Sequence, residues 1–119
     1  MELRVFEVNG HRIAEVISDE VVIKNTQDAL DVMAEASAQE AYSIILYEKN
    51  LTPAFFDLQT RLAGDILQKH STYSMKVAIV GEFEKFKSKS LRAFIIESNR
   101  GNLVFFVSDR ETAIACLTR

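Results

Sequence analysis

The apolar residues of this chain follow two periods, and the alternation of those periods predicts its secondary structure. Three short runs are apolar almost without interruption, at residues 43–47, 76–81 and 102–107. Short apolar runs rich in β-branched and aromatic residues are typical of strands buried on both faces. Between these runs, apolar residues recur every three or four positions, which predicts amphipathic helices. The chain is therefore expected to alternate between strands and helices.

The N-terminal segment predicts a β-hairpin. Asn9 and Gly10 separate two strand-like segments, residues 4–8 and 11–16. Asn and Gly both tolerate positive φ angles, which a two-residue type I′ turn requires at both of its positions. Residues 21–23 are expected to extend the sheet briefly.

Four helical segments follow, and each has a recognisable start. The candidate caps are Asn25 or Thr26, Thr52 before Pro53, Ser88 or Ser90, and the capping box at residues 108–111. Gly101 is expected to end the third helix in the left-handed conformation. The predicted order is β-β-α-β-α-β-α-β-α, a hairpin followed by βα repeats, which indicates a mostly parallel sheet.

Length, charge and composition narrow the class of protein. The 119 residues are enough for one domain, residues 1–119, with its own core. A net charge of −3 argues against nucleic acid or an anionic membrane as a partner. No segment has the length of a membrane span, and the N-terminus lacks the pattern of a signal peptide. Cys116 is the only cysteine, so we expect a cytoplasmic protein without an internal disulfide.

The element order resembles the STAS-like (SpoIIAA-like) fold, named for sulfate transporters and anti-sigma-factor antagonists. Two segments, FFDLQTRLAGDILQKHSTYSMKVAIVGEF and FIIESNRGNLVFFVSDRETAI, resemble a small bacterial family described only as a domain of unknown function. This resemblance implies an α/β fold with a mixed, mostly parallel sheet in sequential strand order and helices mainly on one face. A sheet in sequential order has no point where the strand order reverses, which is where doubly wound sheets bind ligands.

Regulatory STAS proteins carry a phosphorylatable serine, followed by Ser-Gly, after the central strand. The corresponding residues here are Asn50, Leu51, Thr52 and Pro53, so the Ser-Gly element is absent. Thr52 occupies roughly the position of the phosphorylated residue, which makes it a candidate phospho-switch. Its expected role as a helix cap is the simpler explanation.

The segment between the apolar run at residues 76–81 and the third helix is the best candidate for a binding site. Lysines at a helix N-terminus oppose the helix dipole, and locally unfavourable choices can mark function. Gly81, Lys87, Ser88, Lys89 and Ser90 could together hold a phosphate or a carboxylate. The alternative is a solvated turn whose lysines are offset by neighbouring glutamates.

No catalytic residue, cofactor or metal site is predicted. The sequence contains no nucleophile elbow, no P-loop and no dinucleotide-binding glycine motif. His11 and His70 are too few for a metal centre, and we expect them to be exposed or half-buried. Cys116 is expected to be a packed, inert thiol.

The leading functional hypothesis is an interaction or regulatory module without catalysis. The alternative is a small ligand-binding protein or enzyme that uses the anion site at residues 81–90. A homodimer is expected, because helices on one face would leave the other face of an apolar sheet exposed. The competing explanation is that the hairpin or the terminal helix covers that second face.

Overall fold

The computed structural model describes residues 1–119 and has the element order that the sequence predicts. Five strands form one mixed sheet in the sequential order β1-β2-β3-β4-β5. The strands are β1 (Glu2–Val8), β2 (His11–Ile17), β3 (Ser43–Tyr47), β4 (Lys76–Val80) and β5 (Val104–Val107). The α-helices are α1 (Thr26–Ala38), α2 (Leu62–Thr72), α3 (Lys89–Arg100) and α4 (Arg110–Leu117).

The hairpin forms through the Asn-Gly turn. Asn9 has a φ of 50° and Gly10 a φ of 81°, so both turn residues have the positive φ of a type I′ turn. Val8 pairs with His11, and the antiparallel register continues without interruption to the far end of β1. The remaining strand pairs are parallel.

Alternation along the strands divides the core into two layers. The larger layer lies between the sheet and helices α1, α2 and α3, and it contains Phe106. The smaller layer lies on the opposite face and contains the adjacent Phe105. Successive side chains of a strand point to opposite faces, so neighbouring phenylalanines serve different layers.

The terminal helix α4 covers part of the second sheet face. Ala113 and Leu117 are fully buried there, against Ile45, Ala78 and Phe105 of the sheet. Helices α1, α2 and α3 each connect one strand to the next parallel strand, and right-handed connections of this kind place them on the same sheet face. Helix α4 follows the last strand, so no such connection restricts it to that face. The apolar area that suggested a dimer is therefore partly covered within the chain, which was the competing explanation.

The prediction that a helix begins at Pro53 is wrong. Residues Pro53–Phe56 and Leu58–Thr60 form two short 3₁₀ turns, and α2 begins only at Leu62. The hydroxyl of Thr60 donates to the carbonyl oxygens of Ala54 (2.7 Å) and Asp57 (2.8 Å). These bonds engage carbonyls that a continuous helix would have used, and Arg61 then adopts a positive φ of 64°.

Three smaller predictions also need correction. Residues 21–23 do not extend the sheet, because Ile23 forms an isolated parallel bridge with Leu51. Gly101 ends α3 with a φ of −89°, outside the left-handed region. The N-cap of α4 is Asp109, whose carboxylate accepts from the Thr112 N–H at 2.7 Å, rather than Ser108.

Candidate functional site

Gly81, a predicted site residue, lies immediately after β4 and beside the end of β3. Its φ is not in the left-handed region, so the reason for glycine here is steric. A Cβ at this position would lie 2.7 Å from both the Cβ and the Oε1 atoms of Glu48. It would also lie 3.0 Å from Cζ of Phe83. Gly81 therefore gives Glu48 room to approach the backbone.

Glu48 occupies the position where an external anion would meet this edge of the sheet. Its Oε1 atom accepts a hydrogen bond of 3.2 Å from the Glu82 N–H. Its Oε2 atom lies 2.5 Å from Nζ of Lys85. In parallel sheets the carboxyl ends of the strands are the usual ligand-binding edge. Here a carboxylate of the chain itself binds the backbone donor and the cation at the junction of β3 and β4.

The other predicted anion ligands lie further along, at the start of α3. Lys87, Ser88, Lys89 and Ser90 are all exposed. The Ser88 hydroxyl oxygen accepts from the Leu91 N–H at 3.2 Å and is thereby the N-cap of α3. The structure brings these residues no nearer to one another than sequence proximity requires, so the anion site remains a prediction.

Thr52, the candidate phospho-switch, has no capping role. Its side chain accepts no hydrogen bond from the turn that follows it. Its backbone N–H donates to the Ile23 carbonyl oxygen at 3.0 Å, within the short bridge between the two segments. The helix-cap explanation of Thr52 is therefore wrong, and a phospho-switch stays a prediction.

Asn50 is the buried polar residue of this region, and the sequence did not reveal it. The residue is fully buried. Its amide nitrogen donates to the carbonyl oxygens of Ser18 (2.9 Å) and Glu20 (3.0 Å), and its side-chain oxygen accepts from the Tyr47 N–H at 3.2 Å. Asn50 thus fixes the segment that follows β2 against the end of β3, and all of its contacts are internal.

A second cluster that the sequence did not predict lies on the face covered by α4. The carboxylate of Glu15 is buried, and it accepts a hydrogen bond of 2.5 Å from the Tyr47 hydroxyl. Arg110 Nε lies 3.0 Å from one oxygen of Glu15 and 3.2 Å from the other. The guanidinium carbon of Arg110 lies 4.9 Å from the ring centroid of Phe6.

The protonation states of this cluster are fixed at neutral pH. Burial opposes the charge of Glu15, but hydrogen bonds from Arg110 and Tyr47 outweigh it and hold the pKa of Glu15 below its usual value. Burial and the carboxylate of Glu15 raise the pKa of Tyr47 to about 12. Neither group is ready to exchange a proton near pH 7, so the cluster connects α4 to the sheet rather than serving as an acid or base. The sequence did offer one signal for this cluster. Glu15 follows Ile13 by two residues in β2, so its charged side chain points to the same sheet face as an apolar one.

His70 is buried, contrary to the expectation of an exposed or half-buried side chain. Its Nδ1 atom lies 3.0 Å from the carbonyl oxygen of Met75, an acceptor only, so Nδ1 carries the hydrogen and donates. Burial lowers the pKa of His70. No three His, Cys, Asp or Glu side chains converge in an arrangement that could hold a metal ion.

An apolar groove lies between α1 and the starts of β3 and β4, and we call it the tyrosine groove. Tyr42 and Tyr73 line it and are 53% and 60% exposed. Its volume is about 480 Å³. Buried Met33 and Met75 contribute to its lining, and Asp31 is its only charged residue.

The fold and these sites define an α/β protein with a five-stranded mixed sheet, in which Glu48 binds Lys85 and the Glu82 N–H at the carboxyl end of β3. A family model described as a domain of unknown function (DUF4180) matches residues 8–117, nearly the whole chain. The protein belongs to this family. No curated protein and no solved structure matches the chain. No helix has the length and apolar character needed to cross a membrane.

Proposed function

We propose that this protein is an interaction module without catalysis, and that its partner binds in the tyrosine groove. The observation that carries the proposal is the exposure of Tyr42 and Tyr73 on one groove. Only four large apolar side chains are exposed in the whole protein, and these are two of them. Exposed aromatic side chains grouped around an apolar hollow are typical of protein interfaces.

The internal contacts of Glu48 at the carboxyl ends of β3 and β4 support a role without catalysis. Glu48 already binds Lys85 and the N–H of Glu82, which a substrate anion would otherwise use. No buried side-chain polar atom lacks a hydrogen-bond partner. A catalytic site usually contains groups aimed at substrate rather than at one another.

The lining of the groove indicates the chemistry of its occupant. No Lys, Arg or His lines it, whereas Asp31 supplies a negative charge. The faces of Tyr42 and Tyr73 attract cations through their ring quadrupoles. The methionines of the lining favour apolar atoms. We therefore assign the groove to a partner segment in which an arginine or lysine is flanked by apolar side chains.

A STAS-like relationship forms part of the proposal. It is supported by the hairpin followed by βα units in sequential order, together with the sequence resemblance described above. A protein of that kind would act in the bacterial cytoplasm as a regulator that binds another protein. The genes that neighbour its own would be the most direct guide to that partner.

Titration with two matched peptides tests the groove. The probes are acetyl-Leu-Arg-Leu-amide and acetyl-Leu-Glu-Leu-amide, followed by chemical shifts of the ¹⁵N-labelled protein. We expect the arginine peptide to shift the amide signals of Tyr42, Tyr73 and Asp31, and the glutamate peptide to leave them unchanged. Equal binding of both peptides, or shifts confined to another surface, would contradict the proposed occupant.

Matched variants distinguish binding in the groove from non-specific binding to the protein surface. A cation–π contact at an exposed ring is worth about 0.5–1 kcal/mol, which corresponds to roughly 2- to 5-fold in affinity. Tyr73→Ala should therefore weaken the binding of the arginine peptide by at least that factor. Ile96→Ala is the control, because Ile96 is 56% exposed and does not line the groove. Unchanged affinity in Tyr73→Ala would refute the site. Turnover of a metabolite at ordinary enzyme rates would refute the role without catalysis.

A further inference from the structure

The two edges of the sheet differ in how far they are protected from pairing with another strand. At the β5 edge, the side-chain amide of Asn99 donates to the Phe106 carbonyl oxygen at 3.1 Å and accepts from the Phe106 N–H at 2.7 Å. This pair of bonds replaces the neighbouring strand that β5 lacks. In addition, β5 has only four residues and packs against α3 and α4. The β5 edge is therefore closed to further pairing.

The β1 edge has none of these protections. Strand β1 is seven residues long, contains no proline and pairs with β2 in an unbroken register without a bulge. It is an edge strand of the sheet, and β2 is the only element with which it makes extensive contacts. An edge strand of this length and regularity is a template for another strand.

The turn determines which backbone groups of β1 are available. Val8 and His11 flank a two-residue turn, so they form a hydrogen-bonded pair. Hydrogen-bonded positions alternate along an antiparallel pair. The N–H and C=O groups of Leu3, Val5 and Glu7 consequently point away from β2, toward the open edge.

We propose that a second copy of this protein pairs with this edge, β1 against β1 in antiparallel orientation, to form one continuous ten-stranded sheet. The two-fold axis passes beside Val5, so that Val5 faces Val5 of the second copy. This surface is separate from the tyrosine groove, and the inference does not depend on the proposed function. It also differs from the sheet face that first suggested a dimer, part of which α4 covers.

The charges along β1 permit this self-pairing and select its register. With Val5 at the centre, Arg4 faces Phe6 of the second copy, and Glu7 faces Leu3. No charged residue then lies directly opposite a like charge, and all seven residues are paired. Moving the axis to Arg4 would set Arg4 opposite Arg4, which is destabilising. Moving the axis to Phe6 would leave the first two residues of β1 unpaired.

Two substitutions at Glu7 isolate the backbone contribution. The Glu7 N–H points outward, so proline at this position removes an intermolecular donor without removing a bond to β2. Glu7→Ala removes the same exposed side chain but keeps the N–H. We expect sedimentation of the wild-type protein and of Glu7→Ala to give twice the 13.5 kDa monomer mass at high concentration. Glu7→Pro should remain at the monomer mass.

Val5→Lys provides a second variant if Glu7→Pro fails to fold. This substitution sets two lysines opposite each other at the two-fold axis, so the variant should be a monomer. Val5 is only half-buried in the monomer, so the fold should tolerate the change. Amide hydrogen exchange supplies a direct readout, because Leu3, Val5 and Glu7 should exchange more slowly as the concentration rises. A monomeric wild-type protein overturns the proposal. So does a dimer that survives a folded Glu7→Pro or Val5→Lys variant, because it must use another surface.

Discussion

Replacing Gly81 by alanine tests the close approach between β4 and Glu48. The added Cβ would lie 2.7 Å from two atoms of Glu48 and 3.0 Å from the ring of Phe83. Ordinary carbon–carbon contacts are about 3.5–4.0 Å, so the neighbours must move by about 1 Å. The Cβ of Glu48 is attached to the backbone at the end of β3, and it cannot rotate away as the end of a flexible side chain would.

The expected loss of stability in Gly81→Ala is the difference between two opposing effects. Overpacking of this kind typically costs about 1–3 kcal/mol. The lower entropy that alanine gives the unfolded chain offsets about 0.4–1 kcal/mol of that cost. The ion pair between Glu48 and Lys85 adds little, because Lys85 is 56% exposed. We expect Gly81→Ala to lower the free energy of unfolding by roughly 1–2 kcal/mol, which is about 4–8 °C in melting temperature.

A double-mutant cycle measured by urea unfolding identifies the atom responsible. In a Glu48→Gly background both Glu48 atoms are gone and only the 3.0 Å contact with Phe83 remains, so most of the cost of Gly81→Ala should disappear. In a Glu48→Ala background the Cβ remains, and most of the cost should persist. Equal costs in the wild-type and Glu48→Gly backgrounds, or a neutral Gly81→Ala in the wild type, would refute the steric argument.

Three further predictions concern the turn, the buried histidine and the anion site. Gly10→Val places a β-branched residue at a φ of 81° and should destabilise the protein by about 1–3 kcal/mol in urea unfolding; a neutral effect would contradict the turn type. Because burial lowers the pKa of His70 below its unfolded value, its stabilising contribution is complete above pH 6.5 and declines as the pH falls from there toward the folded pKa. The melting temperature should therefore decrease more steeply between pH 7 and 5 than in His70→Leu, and parallel curves would contradict this. For the anion site, millimolar phosphate should raise the melting temperature of the wild-type protein but not that of the Lys87→Gln/Lys89→Gln variant. An unchanged melting temperature in the wild-type protein would refute the predicted anion site.

The element order and the hairpin could be predicted from the sequence because both depend on local patterns. Asn9 and Gly10 readily adopt the positive φ angles that a type I′ turn requires, and the three apolar runs are suited to little except buried strands. Of the two predicted caps of α1, Asn25 and Thr26, the structure has Asn25, whose carboxamide oxygen accepts from the Asp28 N–H only three residues away. Such features involve residues that are close in the chain.

The contacts of Glu48 at the sheet edge, the buried cluster around Glu15 and the position of α4 were decided by tertiary structure. Glu48 meets the Glu82 N–H across 34 residues of chain, and Arg110 reaches Glu15 across 95. Neither pairing produces a periodic pattern in the sequence. A single charged residue in a strand or helix is predicted to be exposed to solvent unless the element that packs against it is known. Local rules favoured a helix after Pro53, yet the chain forms two 3₁₀ turns there, and the Thr60 hydroxyl binds carbonyl oxygens that a continuous helix would have used. The sequence by itself determined the elements and their order, and long-range packing determined which side chains meet, because contact between distant residues depends on the whole fold.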